Sequence, residues 1–221
     1  MKVICISASN MKKAKKHSTS MKVCQIIEKI IKIKFKRDDI QIESVQLVDI
    51  RLRPCIGCGK CFKTSKCCND DSFNILYSKI AESDAVFIVS PHYAPISAKL
   101  SMLLEKMEQI SFLHWFHDNN YKPAVYQKPV GIIAHGGGSD DITLRSYKHM
   151  VLDTIANALQ TIMMDVIGLD EKWPTGVVFP VKKVHKDENA TFPIQLYDWI
   201  DIENRLTLLV EKVIEKADKK I

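Results

Sequence analysis

The sequence has no long hydrophobic run and no glycine motif for nucleotide binding. No stretch approaches the ~18 consecutive apolar residues of a transmembrane helix, and the opening residues, MKVICISASN, lack the cleavage pattern of a secretory signal. Neither G-x-G-x-x-G nor G-x-x-x-x-G-K-[ST] occurs, which argues against a Rossmann dinucleotide site and a P-loop. We therefore expect a cytoplasmic protein without a membrane segment.

Charge clusters typical of two other functional classes are also missing. No acidic pair follows the first predicted strand, as a magnesium-binding receiver domain would require. The net charge of +6 comes from lysines spread along the chain, without a basic stripe interleaved with aromatic residues. Nucleic acid is therefore not expected as a partner, and the length of 221 residues fits a single domain, 1–221.

Short apolar runs alternate with helical patterns. Strands are predicted at 3–7, 40–47, 85–90, 130–135 and 176–181. Between them apolar residues recur at helical spacing, as at Val23, Ile26, Ile27, Ile30 and Ile31. This alternation predicts an α/β fold with five parallel strands and helices on both faces. The segments 111–128 and 182–195 are predicted as long loops, the first with an aromatic cluster around Trp115.

Three loops at the carboxyl ends of strands have the composition of a ligand site, and this edge is where open parallel sheets bind ligands. After the first strand, a Ser/Thr-rich stretch enters a helix, as either a helix cap or an anion site. After the third strand comes SPHYAPISAKL, where Pro91 and Pro95 stiffen the backbone around Tyr93. The fourth strand ends in HGGGS, whose glycines allow close approach to a ligand. His135, which begins this turn, is interpreted as structural.

Five of the seven cysteines lie within CIGCGKCFKTSKCC at 55–68. In a reducing cytoplasm this density favours metal or redox chemistry over a disulfide framework. The C-x2-C-x2-C spacing lets one loop supply three thiolates of a [4Fe–4S] cluster. The candidate ligands are Cys55, Cys58, Cys61 and, as the fourth, Cys67 or Cys68. A zinc site and free thiols that bind nothing remain open alternatives. The remaining cysteines are expected in the core: Cys5 and Cys24.

The loop sequences resemble a known family. SPHYAPISAKL resembles the S/T-P-x-Y segment, with its small-residue turn and A-x-L, of the NAD(P)H-dependent FMN reductases. The cysteine run followed by Asp70-Asp71 is similar to the compact motif of the iron–sulfur flavoproteins, a branch of that family. The resemblance extends from the N-terminus to about residue 160. It implies a flavodoxin-like three-layer α/β/α sandwich with sheet order 2-1-3-4-5, non-covalently bound FMN, and homodimers or homotetramers with the flavin near a subunit interface.

The resemblance also assigns binding residues, and no catalytic acid or base is needed. The FMN phosphate would be held by Ser9, Ser18, Thr19 and Ser20. The isoalloxazine ring would be flanked by Pro91, His92, Tyr93 and Ala94, and its polar edge would meet Gly136, Gly137 and Gly138. The family's usual G-S-P-R opening is SASN here, so a customary arginine is missing. Lys12 and Lys16 are candidates to replace it, and the turn after Tyr93 is A-P rather than the Gly-containing form.

Together these features predict an FMN-dependent oxidoreductase. NAD(P)H would reduce bound FMN, which would pass electrons to a small-molecule acceptor. Two alternatives remain open. One is an iron–sulfur flavoprotein electron carrier that exchanges electrons with ferredoxin through the cysteine-ligated cluster, and the other is a non-catalytic redox or metal sensor. The first alternative predicts bound iron and slow direct oxidation of NAD(P)H, whereas the second predicts no flavin turnover.

Overall fold

A parallel β-sheet forms the centre of the protein, as seen in a computed structural model that describes residues 1–12, 18–37, 39–186, 188 and 193–220. Its strands are β1 (Lys2–Ser7), β2 (Gln41–Gln46), β3 (Ala85–Pro91), β4 (Pro129–His135), β5 (Asp165–Ile167) and β6 (Val177–Phe179). All pairings are parallel, in the order β2-β1-β3-β4-β5, with β6 also paired to β4. The predicted strand order is confirmed.

Within the described residues the sheet has six strands rather than the predicted five. The position beyond β4 is shared by two short strands, β5 against the first half of β4 and β6 against its second half. The prediction missed β5 because its three residues are only half-buried and carry no apolar run. The strand predicted at 176–181 corresponds to β6.

Helices cover both faces of the sheet. In the described chain they are α1 (Thr19–Phe35), α2 (Cys61–Thr64), α3 (Asp71–Glu82), α4 (Ala98–His117), α5 (Asp141–Tyr147), α6 (Thr154–Thr161) and α7 (Trp199–Asp218), with a π-helical turn over 148–153 joining α5 to α6. Helix α1 packs beside α7, and α4 beside α6. Every residue of β3 and β4 is buried. Because successive side chains of a strand point to opposite faces, both faces of the sheet must be covered, as in the flavodoxin-like sandwich.

Both segments predicted as long loops contain regular structure, so those predictions are wrong. Helix α4 continues to His117, and the aromatic cluster around Trp115 lies on its exposed last turns. After Ser111 no residue of this helix is buried, so no apolar stripe marks its end in the sequence. Strands β7 (Lys183–His185) and β8 (Ile194–Leu196) form an antiparallel hairpin. All residues of both strands are exposed, so the usual alternation of buried and exposed side chains along a strand is absent.

The remaining core features agree with the sequence. Cys5 and Cys24 are fully buried, and burial raises the pKa of both thiols. No helix in the described part of the chain is long and apolar enough to cross a bilayer.

Candidate functional site

The carboxyl ends of β1, β3 and β4 lie side by side at one edge of the sheet. The backbone N–H of Ala8, just after β1, donates to the carbonyl of Val89 at 2.9 Å. The N–H of His92, just after β3, donates to the carbonyl of His135 at 2.9 Å, and Pro91 is in register with His135. The three loops selected from the sequence therefore begin next to one another.

The first loop leads into the N-terminus of α1. Ser9 and Ser18 are both buried, and the hydroxyl of Ser9 accepts a backbone N–H two residues on at 3.2 Å. The hydroxyl of Ser18 caps α1 by accepting the N–H of Met21 at 3.3 Å. Because α1 has no acidic residue in its first turn, the positive end of its dipole remains available to an anion. Lys16 lies outside the described residues.

Ser20 contacts His135 inside the protein. Its side chain is fully buried, with Oγ 2.8 Å from Nε2 of His135. The other ring nitrogen, Nδ1, is buried without a hydrogen-bond partner in the described chain. Burial lowers the pKa of His135 to about 4, so the imidazole is neutral at pH 7. The structure thus commits the Ser20 hydroxyl to an internal contact, whereas Thr19 is half-buried at the start of α1.

The loop after β3 holds a histidine nitrogen without a partner. The N–H of Tyr93 donates to the carbonyl of Pro95 at 2.8 Å, and Ala94 has a φ of 43°, in the left-handed region. The ring of His92 stacks on that of Tyr147 at a centroid distance of 4.9 Å. Its Nε2 atom is buried and has no hydrogen-bond partner in the part of the chain that the structure describes. A buried polar atom of this kind indicates a group that a ligand can satisfy.

The three glycines after β4 lie against different side chains. A Cβ on Gly136 would lie 2.6 Å from the ring of Tyr147, and a Cβ on Gly138 would lie 2.0 Å from Thr143. The N–H of Gly138 donates to the hydroxyl of Tyr147 at 3.2 Å. Gly137 is exposed, and a Cβ there would meet a glutamine side-chain nitrogen at 3.1 Å. Two of the glycines therefore make room for the protein's own side chains, and Gly137 faces outward.

Tyr197, which the sequence did not single out, lies behind this edge. Its hydroxyl donates to Oε1 of Gln195 at 2.9 Å and lies 3.4 Å from the carbonyl oxygen of Gly136. Its ring meets that of His135 edge-on at 6.2 Å. Burial raises the pKa of Tyr197 to about 12, so the phenol remains a donor. The one sequence feature that could have indicated Tyr197 is its position directly before Asp198, which caps α7.

The cysteine loop folds around a small pocket that is partly open to solvent. Five thiols line it: Cys55, Cys58, Cys61, Cys67 and Cys68. Gly57 and Gly59, with φ values of 64° and 66°, turn the loop through left-handed conformations that favour glycine. All five cysteines considered as ligands therefore border the same pocket.

A buried ion pair anchors the base of this loop. The carboxylate of Asp70 accepts the ammonium of Lys106, the N–H of Arg53 at 2.7 Å and the N–H of Phe73 at 3.0 Å. Burial opposes ionisation of Asp70, but these donors together hold its pKa below the ordinary value. Asp70 thus ties the start of the loop to α3 and, through Lys106, to α4.

Asn74 holds the backbone of Cys67 from both sides. The N–H of Cys67 donates to Oδ1 of Asn74 at 2.8 Å, and Nδ2 of Asn74 donates to the carbonyl of Cys67 at 2.8 Å. Cys67 is half-buried and packs against the core, whereas the side chain of Cys68 is exposed. Of the two candidates for a fourth ligand, Cys67 is the one with a fixed backbone.

The thiols differ in acidity and spacing. The Sγ atoms of Cys58 and Cys68 lie 3.7 Å apart. The pKa of Cys58 is lowered, first by the backbone N–H of Lys60 and then by the Cys68 thiol, whereas burial raises that of Cys61. In the described residues, no group of three or more His, Cys, Asp or Glu is gathered as a single metal ion would require.

Helix α4 connects the two sites. It begins after its cap Ser97, directly beyond the loop that carries Tyr93, and Lys106 on the same helix lines the cysteine pocket. Nine residues of α-helix correspond to about 14 Å along the axis. Helix α4 therefore spans the distance between the loop at the sheet edge and the cysteine pocket.

Comparisons with known sequences identify flavoproteins. The family model described as NADPH-dependent FMN reductase matches residues 1–143. An iron–sulfur flavoprotein of Methanocaldococcus jannaschii is 32% identical over 107 residues, which are 48% of this chain and 51% of the relative. Another from Archaeoglobus fulgidus is 29% identical over 68 residues, 30% of this chain and 31% of that one. The chain therefore matches about half or less of the length of these curated relatives.

Solved structures show the same fold over nearly the whole chain. An oxidoreductase from Corynebacterium diphtheriae gives a TM-score of 0.61 at 12% identity, covering 99% of this chain and 98% of that one. FerB, a flavoenzyme NAD(P)H:acceptor oxidoreductase from Paracoccus denitrificans, gives 0.57 at 12% identity, covering 99% and 97%. At such identity these likenesses establish the flavodoxin-like architecture alone.

Proposed function

The chain belongs to the NADPH-dependent FMN reductase family, and from this we propose that it is an FMN-dependent oxidoreductase whose cysteine loop holds an iron–sulfur cluster. The observation that carries the proposal is the single pocket lined by five cysteines, joined by α4 to the ligand edge of the sheet. This arrangement favours the iron–sulfur flavoprotein type over a flavin reductase without a cluster.

The residues at the sheet edge fit FMN. The N–H groups at the start of α1 and the hydroxyl of Thr19 would hold the phosphate, with Ser18 capping the helix. The buried Nε2 of His92 would find its missing partner on the flavin ring, and the outward-facing Gly137 would lie against it. When bound, FMN supplies one- and two-electron redox chemistry, which the chain orients and shields. Ser20 and His135 would support this edge from behind.

The cysteine pocket fits a cluster ligated by four thiolates. The proposed ligands are Cys55, Cys58, Cys61 and Cys67. Cys67 is preferred as the fourth ligand because Asn74 fixes its backbone. When bound, a [4Fe–4S] cluster supplies one-electron transfer. Asp70 and Lys106 would hold the loop in place around it.

The proposed electron donor is NAD(P)H, in keeping with the family's description. The surface around the cysteine pocket suggests the other partner. Residues 51–69 contain five basic side chains and no acidic one, and all five are exposed: Arg51, Arg53, Lys60, Lys63 and Lys66. Such a surface attracts an acidic protein. We therefore propose an acidic one-electron carrier such as a ferredoxin as partner, with a small-molecule acceptor as the alternative.

We further propose that the protein assembles as a homodimer or homotetramer. Large apolar side chains are exposed on elements that flank the sheet edge: Ile142, Val184, Ile194, Leu196 and Ile200. Exposed apolar groups next to a ligand site are typical of subunit interfaces. Analytical ultracentrifugation tests this directly, and a monomer at micromolar concentration would contradict it.

Matched variants test the two sites separately. Cys67→Ser should lose most of the iron and sulfide taken up on anaerobic reconstitution, whereas Cys68→Ser should retain them. His92→Phe should weaken FMN binding at least tenfold in a fluorescence titration, whereas His114→Phe, at the far end of α4, should not. Loss of iron in both cysteine variants would reject the ligand assignment, and unchanged FMN affinity in His92→Phe would reject the flavin site.

The electron donor is tested by mixing FMN-loaded protein anaerobically with NADH or NADPH. Loss of flavin absorbance with either nucleotide supports it as donor. If neither reduces the flavin but a reduced ferredoxin does, the protein is an electron carrier rather than a reductase.

A further inference from the structure

Cys58 and Cys68 form a close, accessible pair of thiols. Their Sγ atoms are 3.7 Å apart, and both residues are exposed. The proposed cluster needs four thiolates, and the loop provides five. Cys68 is thus a surplus thiol that lies in contact with one of the proposed ligands.

We propose that Cys58 and Cys68 form a reversible disulfide that withdraws Cys58 from the cluster ligands. The bond itself depends only on the geometry of the two thiols, whereas its effect on cluster binding rests on the proposed function. The loop would then exist in two exclusive states, with either a cluster or a disulfide. Oxidation would switch the site from the first state to the second.

The pair needs little movement to form the bond. A disulfide has an S–S distance of about 2.0 Å, so the sulfurs must approach by about 1.7 Å. Cys58 lies between Gly57 and Gly59, and nothing lies within 4 Å of where a Cβ on either glycine would be. Cys68 follows the fixed Cys67. The open space beside the two flanking glycines therefore leaves Cys58 room to move toward Cys68.

The bond excludes the cluster because a disulfide sulfur has no thiolate to donate. With Cys58 withdrawn, the proposed ligand set retains only three thiolates: Cys55, Cys61 and Cys67. These are too few for a cluster with four cysteine ligands. In the other direction, a cluster bound to Cys58 occupies the sulfur that would attack an oxidant.

The oxidant is a low-molecular-weight disulfide. The Cys58 thiolate attacks one of its sulfurs, which forms a mixed disulfide and releases one thiol of the oxidant. The Cys68 thiolate then attacks the Cys58 sulfur and releases the second. The protein loses two protons and two electrons, which appear in the two thiols released. A reducing thiol reverses both steps.

The test uses the full-length protein, reduced and anaerobic, with and without a reconstituted cluster. Both samples are incubated with glutathione disulfide, alkylated and digested with trypsin. Cleavage after Lys60 and Lys66 places Cys58 in the peptide 52–60 and Cys68 in the peptide 67–79. Mass spectrometry then detects a bond between the two peptides, and fragment ions identify the cysteines.

The iron-free protein should lose two thiols and give the Cys58–Cys68 peptide, and dithiothreitol should restore both thiols. The cluster-loaded protein should give less than a tenth as much. Cys67→Ser should still form the bond, whereas Cys68→Ser should accumulate glutathione on Cys58. The oxidised wild type should take up at least tenfold less iron until it is reduced.

A different pairing, such as Cys61 with Cys67, or equal cross-linking with and without the cluster would overturn the proposal. Two results separate it from the proposed function. If the reduced protein binds iron and sulfide but no cross-link forms, the switch is wrong and the function stands. If the cross-link forms but the reduced protein takes up no iron, the cluster function fails and the disulfide stands.

Discussion

Acid should destabilise this protein through His135. Burial lowers the pKa of this imidazole from 6.5 to about 4. At about 1.4 kcal/mol per pKa unit, the difference corresponds to roughly 3 kcal/mol. The unfolded chain takes up the proton below about pH 6.5, whereas the folded protein does so only near pH 4. The stability contributed by the neutral ring is therefore complete above pH 6.5 and is lost as the pH falls toward 4.

Urea unfolding followed by circular dichroism measures this effect. The variant His135→Gln retains an amide that can hydrogen-bond to Ser20 but does not titrate. Between pH 7.5 and 4.5, the unfolding free energy of the wild type should fall by roughly 2–3 kcal/mol more than that of the variant. His185→Gln, on the exposed strand β7, is the matched control and should behave like the wild type.

The contrary outcome is the same pH dependence of stability in the wild type and in His135→Gln. It would mean that the imidazole is not kept neutral by burial behind the sheet edge. An NMR titration of the His135 ring gives a second readout, and a midpoint near pH 6.5 would contradict the account in the same way.

Three further substitutions probe the loops. Ala94→Gly should raise the unfolding free energy by about 0.5–1 kcal/mol, because a left-handed φ of 43° costs an L residue more than glycine. Gly138→Ala should lower it by about 1–3 kcal/mol, since the new Cβ would lie 2.0 Å from Thr143. Asn74→Ala should remove both hydrogen bonds to Cys67 and lower stability by about 1–3 kcal/mol in the same assay, with less iron per chain after reconstitution.

Each of these has a control variant or an outcome that would contradict it. Gly137→Ala, whose Cβ would meet only a flexible side chain, should change stability by less than about 0.5 kcal/mol. If Ala94→Gly instead lowered the unfolding free energy by more than about 1 kcal/mol, the left-handed φ of Ala94 would not be a source of strain. Asn74→Asp keeps the acceptor for the Cys67 N–H and should lie between Asn74→Ala and the wild type. Full iron content in Asn74→Ala would show that Asn74 does not position the ligand.

The sheet and the place of the ligand edge follow from the sequence because both depend on burial. Strands buried on two faces appear as continuous apolar runs, and their alternation with helices leaves few topologies. The elements that the sequence does not reveal are those outside the core. The half-buried β5, the exposed hairpin of β7 and β8, and the last turns of α4 lack an apolar pattern.

In the candidate site, too, some features follow from the sequence and others only from the fold. Spacing alone groups the cysteines, because each lies within six residues of the next in one loop. The partners that hold them come from distant segments: Lys106 reaches Asp70 from α4, and Ser20 reaches His135 from α1. The roles of Gly136 and Gly138 also depend on side chains packed against them later in the chain. Such contacts are created by the fold and have no local signal.

The most direct test of a protein that holds both FMN and an iron–sulfur cluster is the ultraviolet–visible spectrum of protein purified without oxygen, with iron, acid-labile sulfide and flavin assayed on the same sample. We expect flavin bands on a broad brown shoulder, with iron and sulfide in equal amounts and about four of each per chain, as for one [4Fe–4S] cluster. Flavin bands without iron, after reconstitution under reducing conditions, would contradict it. The protein would then be a flavin reductase with free thiols.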